Sequence, residues 1–397
     1  MTINVSTMNK RVVIAILAFA LFLGIENGAF MYIVLKIAAE YSLDQAHMGF
    51  LASVKYGGDI VGALAIGIVS DRLGRKTAIL ISAALLCLCA FLSTIMQDLS
   101  LLTACILGIG LGVGCSLNAG TAALAVIDPG RSGKYLSLFH GLISSGSIAG
   151  PLLGALLISG LGLSWRAEYI IIALTMVLTV IVIGMIPFRG LASCTHPLKT
   201  TSRPAAAPPG MFGVITFGTF FCIFLYMCME NALTFFTDSY FTIVLDAPAY
   251  SAIALALFSA SMAISRIGIS RFYRYRNMAI PVCFAGCGIL TGFIAFSHSS
   301  MAVTMILGLA GLFFGPIYAF LQSINTDQFP KNAGVITSLF MLCGGAGGMV
   351  SPLIMGRLSD TTGLRPAFLL LSVICFAGFA CYIAFIYRKT IHKEVIS

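Results

Sequence analysis

Two carboxylates sit where a carboxylate is most costly. Glu26 and Glu230 each precede an asparagine, in the matching apolar settings Leu23-Gly-Ile-Glu-Asn-Gly-Ala-Phe30 and Met227-Cys-Met-Glu-Asn-Ala-Leu-Thr-Phe235. An acid inside a lipid bilayer costs several kcal/mol unless it is protonated, paired or facing a water-filled cavity. The chemistry open to it there is proton uptake and release, because burial opposes its charge. Further polar residues lie in apolar stretches. Lys55 and Asp59 are four apart on one helix face and suit an intramembrane ion pair. A sharper possibility is that Lys55 alternates between Asp59 and Glu26 as Glu26 gains and loses a proton. The amides of Asn27, Asn118, Asn231, Gln322 and Asn325 offer paired donors and acceptors suited to vicinal hydroxyls, or to hydrogen bonds between helices. Tyr318, Gln322 and Asn325 share a helix face by their spacing. His140 could titrate near neutral pH, although a lone histidine in a span more often packs as a hydrogen bonder.

The elements that must position these residues are membrane helices. The chain has 397 residues, of which 59% are hydrophobic and 9% charged, and its mean hydropathy is +1.01. A soluble domain carries about 25% charge, so this is an integral membrane protein. Twelve spans are expected, at roughly 11–35, 46–69, 77–96, 100–127, 135–160, 167–187, 211–236, 249–270, 278–297, 301–325, 332–356 and 366–387. The short polar lead from Met1 to Lys10 runs straight into the first span, which reads as a transmembrane helix and not a signal peptide. Phe188 to Gly210, rich in Pro, Ala, Ser and Thr, is the long polar stretch and is expected to link a first half, 1–187, to a second, 211–397.

Charge placement gives orientation. Lys10, Arg11, Arg72, Arg75, Lys76, Arg131, Lys134 and Arg189, among others, fall on the side of the termini. The opposite side has Lys36, Arg166, Arg357 and Arg365, with the loop acids Glu40, Asp44, Asp98, Glu168, Asp238, Asp246 and Asp360. The positive-inside rule then places both termini in the cytoplasm. The lone tryptophan, Trp165, is expected as an interfacial anchor at the external end of span 6. Other features repeat at a similar offset. Gly150-Pro151 with Gly154 matches Ser351-Pro352 with Gly356, and Arg166 matches Arg365. Parallel repeats of this kind build transporters whose cargo site lies near the bilayer midplane, where Glu26 and Glu230 are expected to meet.

The loop after span 2 reads Gly67-Ile-Val-Ser-Asp71-Arg72-Leu-Gly74-Arg75-Lys76 and resembles the signature loop of the major facilitator superfamily. Gly67 would let a neighbouring helix approach, Gly74 suits a tight turn, and Asp71 could meet a helix N-terminus or an arginine. The second-half counterpart, Ser265-Arg266-Ile-Gly268 through Arg274, is degenerate and lacks the Asp. Span 5 from Leu138 to Pro151, span 7 around Phe224 to Glu230, and the stretch from Gly315-Pro316 to Asp360 are similar to the fucose permease-like group of sugar–proton symporters. Span 4 departs from that pattern, having no acid before Asp128; Asn118 is its polar residue. The resemblance implies an all-α protein of twelve transmembrane helices in two pseudo-symmetric six-helix bundles, with spans 1, 4, 7 and 10 lining a central cavity. It implies a substrate and proton site among Glu26, Asn27, Asn118, His140, Glu230, Asn231, Tyr318, Gln322 and Asn325. Gly146, Gly150, Pro151 and Gly154 form a bend that also resembles the span 5 motif of drug–proton antiporters, so the implied activity is proton-coupled uptake of a sugar or similar metabolite, with efflux of hydrophobic compounds as the alternative.

Other classes are disfavoured. Asp128-Pro-Gly-Arg-Ser-Gly133-Lys134 lacks the spacing of a P-loop, and Gly108, Gly110, Gly112 and Gly114 read as helix-packing glycines. No HExxH or GxSxG motif supports an enzyme. The twelve cysteines are scattered and suggest neither disulfides nor a metal site. The expected partners are a small solute, protons and lipid, with no cofactor, metal or nucleic acid, and the chain is expected to act as a monomer.

Overall fold

The computed structural model describes residues 5–127, 132–188, 213–268, 275–329 and 333–387. Within them the chain forms twelve long helices and no strand. These are α1 (Val5–Glu40), α2 (Gln45–Leu73), α3 (Arg75–Ile95), α4 (Leu99–Ile127), α5 (Ser132–Ala155), α6 (Arg166–Met185), α7 (Val214–Ser239), α8 (Ser251–Gly268), α9 (Arg276–Phe296), α10 (Ser300–Gln328), α11 (Ala333–Thr362) and α12 (Leu364–Tyr382). Each of the twelve has the length and composition to cross a membrane. In a bilayer a helix satisfies its own backbone, so apolar runs of this length fold as helices and little else. The linker 189–210 and the loop containing Asp128 to Arg131 lie outside the described residues.

The contacts divide the chain into two compact units, 1–37 with 54–203 and 38–53 with 204–397. In the first, α3 packs on α4 and α6, and α4 on α5. Glycines set the closest approaches. A methyl group added at Gly110 or Gly114 would stand 2.0 Å from the Lys55 carbonyl oxygen or 1.9 Å from that of Asp59, so α2 and α4 touch backbone to backbone. Gly108 and Gly112, on another face of α4, meet Cys89 and Leu86 of α3. Gly146 and Gly150 of α5 likewise meet the backbone of α1 at Leu21 and Ala29. Pro151 lies inside α5, which continues to Ala155 before loosening into a π turn at Leu156–Gly160. In the second unit α10 packs on α8 and α9, while α7 is flanked by α11 and α12.

The loop between α2 and α3 turns on Gly74, whose φ of 87° is in the left-handed region open to glycine. Gly363, with φ 89°, turns the chain into α12 in the same way. Arg75 donates from Nη1 to the Ala122 carbonyl of α4 (2.8 Å), and Lys76 from Nζ to the Gly184 and Ile186 carbonyls ending α6 (2.7 and 2.9 Å). Cations placed on the last carbonyls of helices are stabilising. Arg72 is exposed, and the side chain of Asp71 lies outside the described residues. At Gly67 a methyl group would meet nothing within 4 Å among the described residues.

Three expectations are corrected. Trp165 is buried, at 3% exposure, edge-on to Tyr169 with the Arg166 guanidinium over its ring, and is not an exposed anchor. Glu168 and Asp238, expected in external loops, are fully buried. For Asp238 the physical reason is that α7 runs on to Ser239, past the expected end of the span, whereas Glu168, in the first turn of α6, is covered by Gly154 of α5.

The residues 38–53 belong to the second unit because the start of α2 is fastened there. Asp360 of α11 accepts from the backbone N–H groups of Gln45 (2.9 Å) and Ala46 (2.7 Å), and Asp44 accepts from that of His47 (2.8 Å). Gly49 and Gly356 allow the two helices to touch, and Ser53 donates to the Met349 carbonyl (2.6 Å). Asp360→Ala removes two of these acceptors. It is expected to cost about 1 kcal/mol, the usual worth of a helix cap, and to speed amide exchange at Gln45 and Ala46; unchanged exchange there would discount the cap. The bonds from His47 hold the Asp44 carboxyl below its ordinary range. A depressed acid stabilises the fold above its unfolded pKa, and that stability is lost as pH falls through the folded value. Asp44 is exposed, so solvent screening keeps the effect small.

Candidate functional site: two buried acid–cation pairs

Glu26, midway along α1, meets Lys55 of α2 across 3.4 Å, and neither side chain has any exposed surface. The Lys55 ammonium also lies 5.0 Å from the Phe30 ring centre and 5.7 Å from that of Tyr56, a cation–π setting that offsets part of its lost hydration. Asp59, one turn further along α2, is half-buried and within electrostatic reach of both. The ion pair is therefore Lys55 with Glu26, where the spacing suggested Lys55 with Asp59. The lysine reaches across to α1, where it is the counter-charge of Glu26 among the described residues. Because Gly110 and Gly114 bring α4 onto the backbone of these two residues, the helix that carries Lys55 and Asp59 has little room to shift.

The second unit holds a comparable arrangement. Glu230 of α7 lies 3.7 Å from the Arg266 guanidinium of α8, with side-chain exposures of 17% and 35%. Tyr226 and Tyr318 are within electrostatic reach of Arg266, and Tyr318 packs edge-on against Phe340. Arg266 was legible in the sequence only as part of a degenerate loop motif. Ser261 of the same helix donates to the Phe258 carbonyl. The missed signal was a single basic residue between Ile264 and Gly268, inside the apolar run. In each unit, then, an acid on the first helix is matched by a cation on the second.

The remaining expected residues divide by surroundings. Asn27, Tyr318 and Gln322 are half-buried, and His140 is exposed. Asn118 is exposed and donates to the Ala63 carbonyl of α2 (2.7 Å). Asn231 is buried and donates to Met227 of its own helix (2.9 Å). Asn325 is fully buried and accepts from the Thr219 hydroxyl of α7 (2.7 Å), which ties α10 to α7. Asn325→Leu is expected to cost about 1 kcal/mol, the net worth of one such bond, with substrate affinity unchanged in the folded fraction. A large rise in the transport KM at wild-type stability would return Asn325 to the binding site. Gly154 meets the carboxylate of Glu168 and the ring of Tyr32. Among the described residues no group of His, Cys, Asp and Glu is arranged to hold a metal ion.

The chain is 25% identical over 350 residues to the inner membrane transport protein YdiN of Escherichia coli (strain K12), covering 82% of this chain and 78% of the relative. An MFS-type transporter of Yersinia pestis is 24% identical, over 87% of this chain and 88% of its own. The multidrug resistance protein MdtL of Escherichia coli O81 (strain ED1a) is 31% identical over 157 residues, 39% of this chain and 40% of its own. Among solved structures, a D-xylose-proton symporter superposes with a TM-score of 0.79 at 14% identity, over 94% of this chain and 97% of that one. A mutant of the nucleoside transporter NupG gives 0.74 at 14%, over 96% and 100%. At these identities the solved structures share the fold. The family model of the Major Facilitator Superfamily matches residues 14–352 and 273–396. With twelve membrane helices, paired charges inside them and that match over most of its length, the chain belongs to the Major Facilitator Superfamily, a family of membrane transporters and not of enzymes.

Proposed function

We propose that this transporter carries a small polar solute, a sugar or similar metabolite, into the cell by alternating access, coupled to protons. The observation that supports this most is the Glu26–Lys55 pair, wholly removed from water. Such a pair holds together only while the acid is ionised. A proton arriving at Glu26 cancels its attraction for Lys55 and leaves the ammonium to Asp59, one turn away on the same helix. That rearrangement makes proton occupancy visible to the helix packing, which is what coupling requires. Glu230 with Arg266 offers a second, more accessible pair that could meet a hydroxylated solute through charged hydrogen bonds. The termini are taken to face the cytoplasm and the protein to work as a monomer in the cell membrane. The membrane potential then supplies about 2.3 kcal/mol per charge per 100 mV to each inward proton.

The alternative is proton-driven efflux of hydrophobic compounds, which the partial likeness to MdtL favours. Proton movement in proteoliposomes loaded with a pH dye distinguishes them. Challenge with sugars, organic acids and lipophilic cations is expected to give inward proton flow with a sugar, lost on Glu26→Gln. Proton release with a lipophilic cation would establish efflux, and solute flux with no proton signal would remove coupling altogether.

A further inference from the structure

Glu168 is a buried acid that the pairs above do not use. It lies in the first turn of α6, has no exposed surface, and neither carboxyl oxygen has a hydrogen-bond partner among the described residues. Its pocket is made by three helices. On α5, Gly154 faces it so closely that an added methyl group would stand 2.6 Å from Oε2; any side chain there would take the carboxyl's place. On α1 the same glycine meets the Tyr32 ring, and the ionisable groups within reach from that helix are Glu26 and Lys36. On α6 itself lie Tyr169, fully buried with an unpartnered hydroxyl, and Arg166. The arginine two residues away is turned elsewhere, donating from Nε to the Thr94 carbonyl of α3 and stacking on Trp165. The Lys36 ammonium lies over the Tyr32 ring, 4.1 Å from its centre. The cations of α3, Arg75 and Lys76, sit at the far end of that helix, with Lys76 against the last turn of α6.

An ionised carboxylate with no hydrogen bond and no bound counter-ion is not tolerated in an interior; such a group neutralises. Two acids within mutual reach in one interior also resist ionising together. The Lys55 ammonium, 3.4 Å from Glu26, favours the ionised form there, and Glu168 has no such partner among the described residues. We propose that Glu168 is a second proton-binding site of the first unit, and that Glu26 and Glu168 between them hold one proton, which rests on Glu168 while Glu26 is paired with Lys55. Tyr32 is six residues beyond Glu26 on α1, about 9 Å along the helix, so the proton's resting place is displaced from the ion pair toward the α1–α2 and α5–α6 turns. When the O–H bond at Glu168 breaks and one forms at Glu26, the negative charge passes to Glu168, which Lys36 reaches electrostatically, and Lys55 is released. The use of this exchange in transport rests on the proton-coupled reading; the protonation of Glu168 does not.

Infrared spectroscopy of the purified, substrate-free protein tests it through the carbonyl stretch of a protonated carboxyl group. At neutral pH the wild type is expected to show a band that Glu168→Gln abolishes, with no change in thermal stability, since glutamine copies the neutral acid in size and charge. Glu26→Gln, which leaves Lys55 without its partner and removes the competing negative charge, is expected to weaken the Glu168 band at the same pH. A wild type without such a band, or one that persists in Glu168→Gln, overturns the assignment of the proton to Glu168. An unchanged band in Glu26→Gln overturns the sharing. Because no substrate or gradient is used, these outcomes stand apart from whether transport is proton-coupled.

Discussion

Lys55→Met is expected to cost the protein about 3–5 kcal/mol of stability, the usual loss when one partner of a buried ion pair is removed. The size follows from the complete burial of both side chains. With the ammonium gone, Glu26 keeps no counter-charge and can remain inside only as the neutral acid. The loss should therefore grow as pH rises, since folding must then take a proton from solution. Pairing the change with Glu26→Gln removes both charges and is expected to recover most of the stability, because an ion pair exchanged for neutral groups of similar size is often close to neutral overall. Thermal unfolding of the two single variants and the double variant at two pH values measures the coupling directly. A double variant no more stable than Lys55→Met would show that the ion pair carries none of the effect. The same variants separate structure from transport. If Lys55 reports the proton on Glu26, the double variant should fold well yet move solute without a proton, whereas intact proton-dependent transport would reduce the pair to a structural role.

The second large effect is expected from one methyl group. In Gly114→Ala the new Cβ would lie 1.9 Å from the Asp59 carbonyl oxygen and 2.6 Å from its carbon, both backbone atoms of α2. Overpacking a core commonly costs about 1–3 kcal/mol when side chains can give way. Here the obstacle is backbone, so α2 and α4 must separate along their whole contact, and the cost should reach or exceed the top of that range. Gly110 repeats the constraint one turn earlier against Lys55, so the displacement also carries Lys55 away from Glu26. Gly67→Ala and Gly184→Ala are the matched controls, because a methyl group at either meets nothing within 4 Å. The yield of monodisperse protein and its melting temperature are expected to collapse for Gly114→Ala and to stay near wild type for the controls. Equal tolerance of all three would mean that α2 and α4 are not packed through these glycines.

The sequence by itself determined the class of molecule and the number of its helices. Backbone polar groups cannot go unpaired in lipid, so apolar runs of sufficient length leave one solution. The same cost made Glu26, Lys55 and Glu230 conspicuous as residues, and the turn at Gly74 could be expected from its place between two spans. Partners were another matter. Which charge meets which depends on helix rotation and approach, and those are settled by contacts far apart in the chain. Lys55 sits four residues from Asp59 yet pairs with Glu26, because α1 passes close enough for the longer reach. Arg266 reads only as part of a degenerate motif at the end of span 8 until α8 is seen to bring it against Glu230. Asn325 reads as a cavity amide until Thr219 is found to occupy it. Glu168 is the clearest case. Charge placement reads it as an external acid at the start of span 6, and only the packing of α1, α5 and α6 closes a pocket around it.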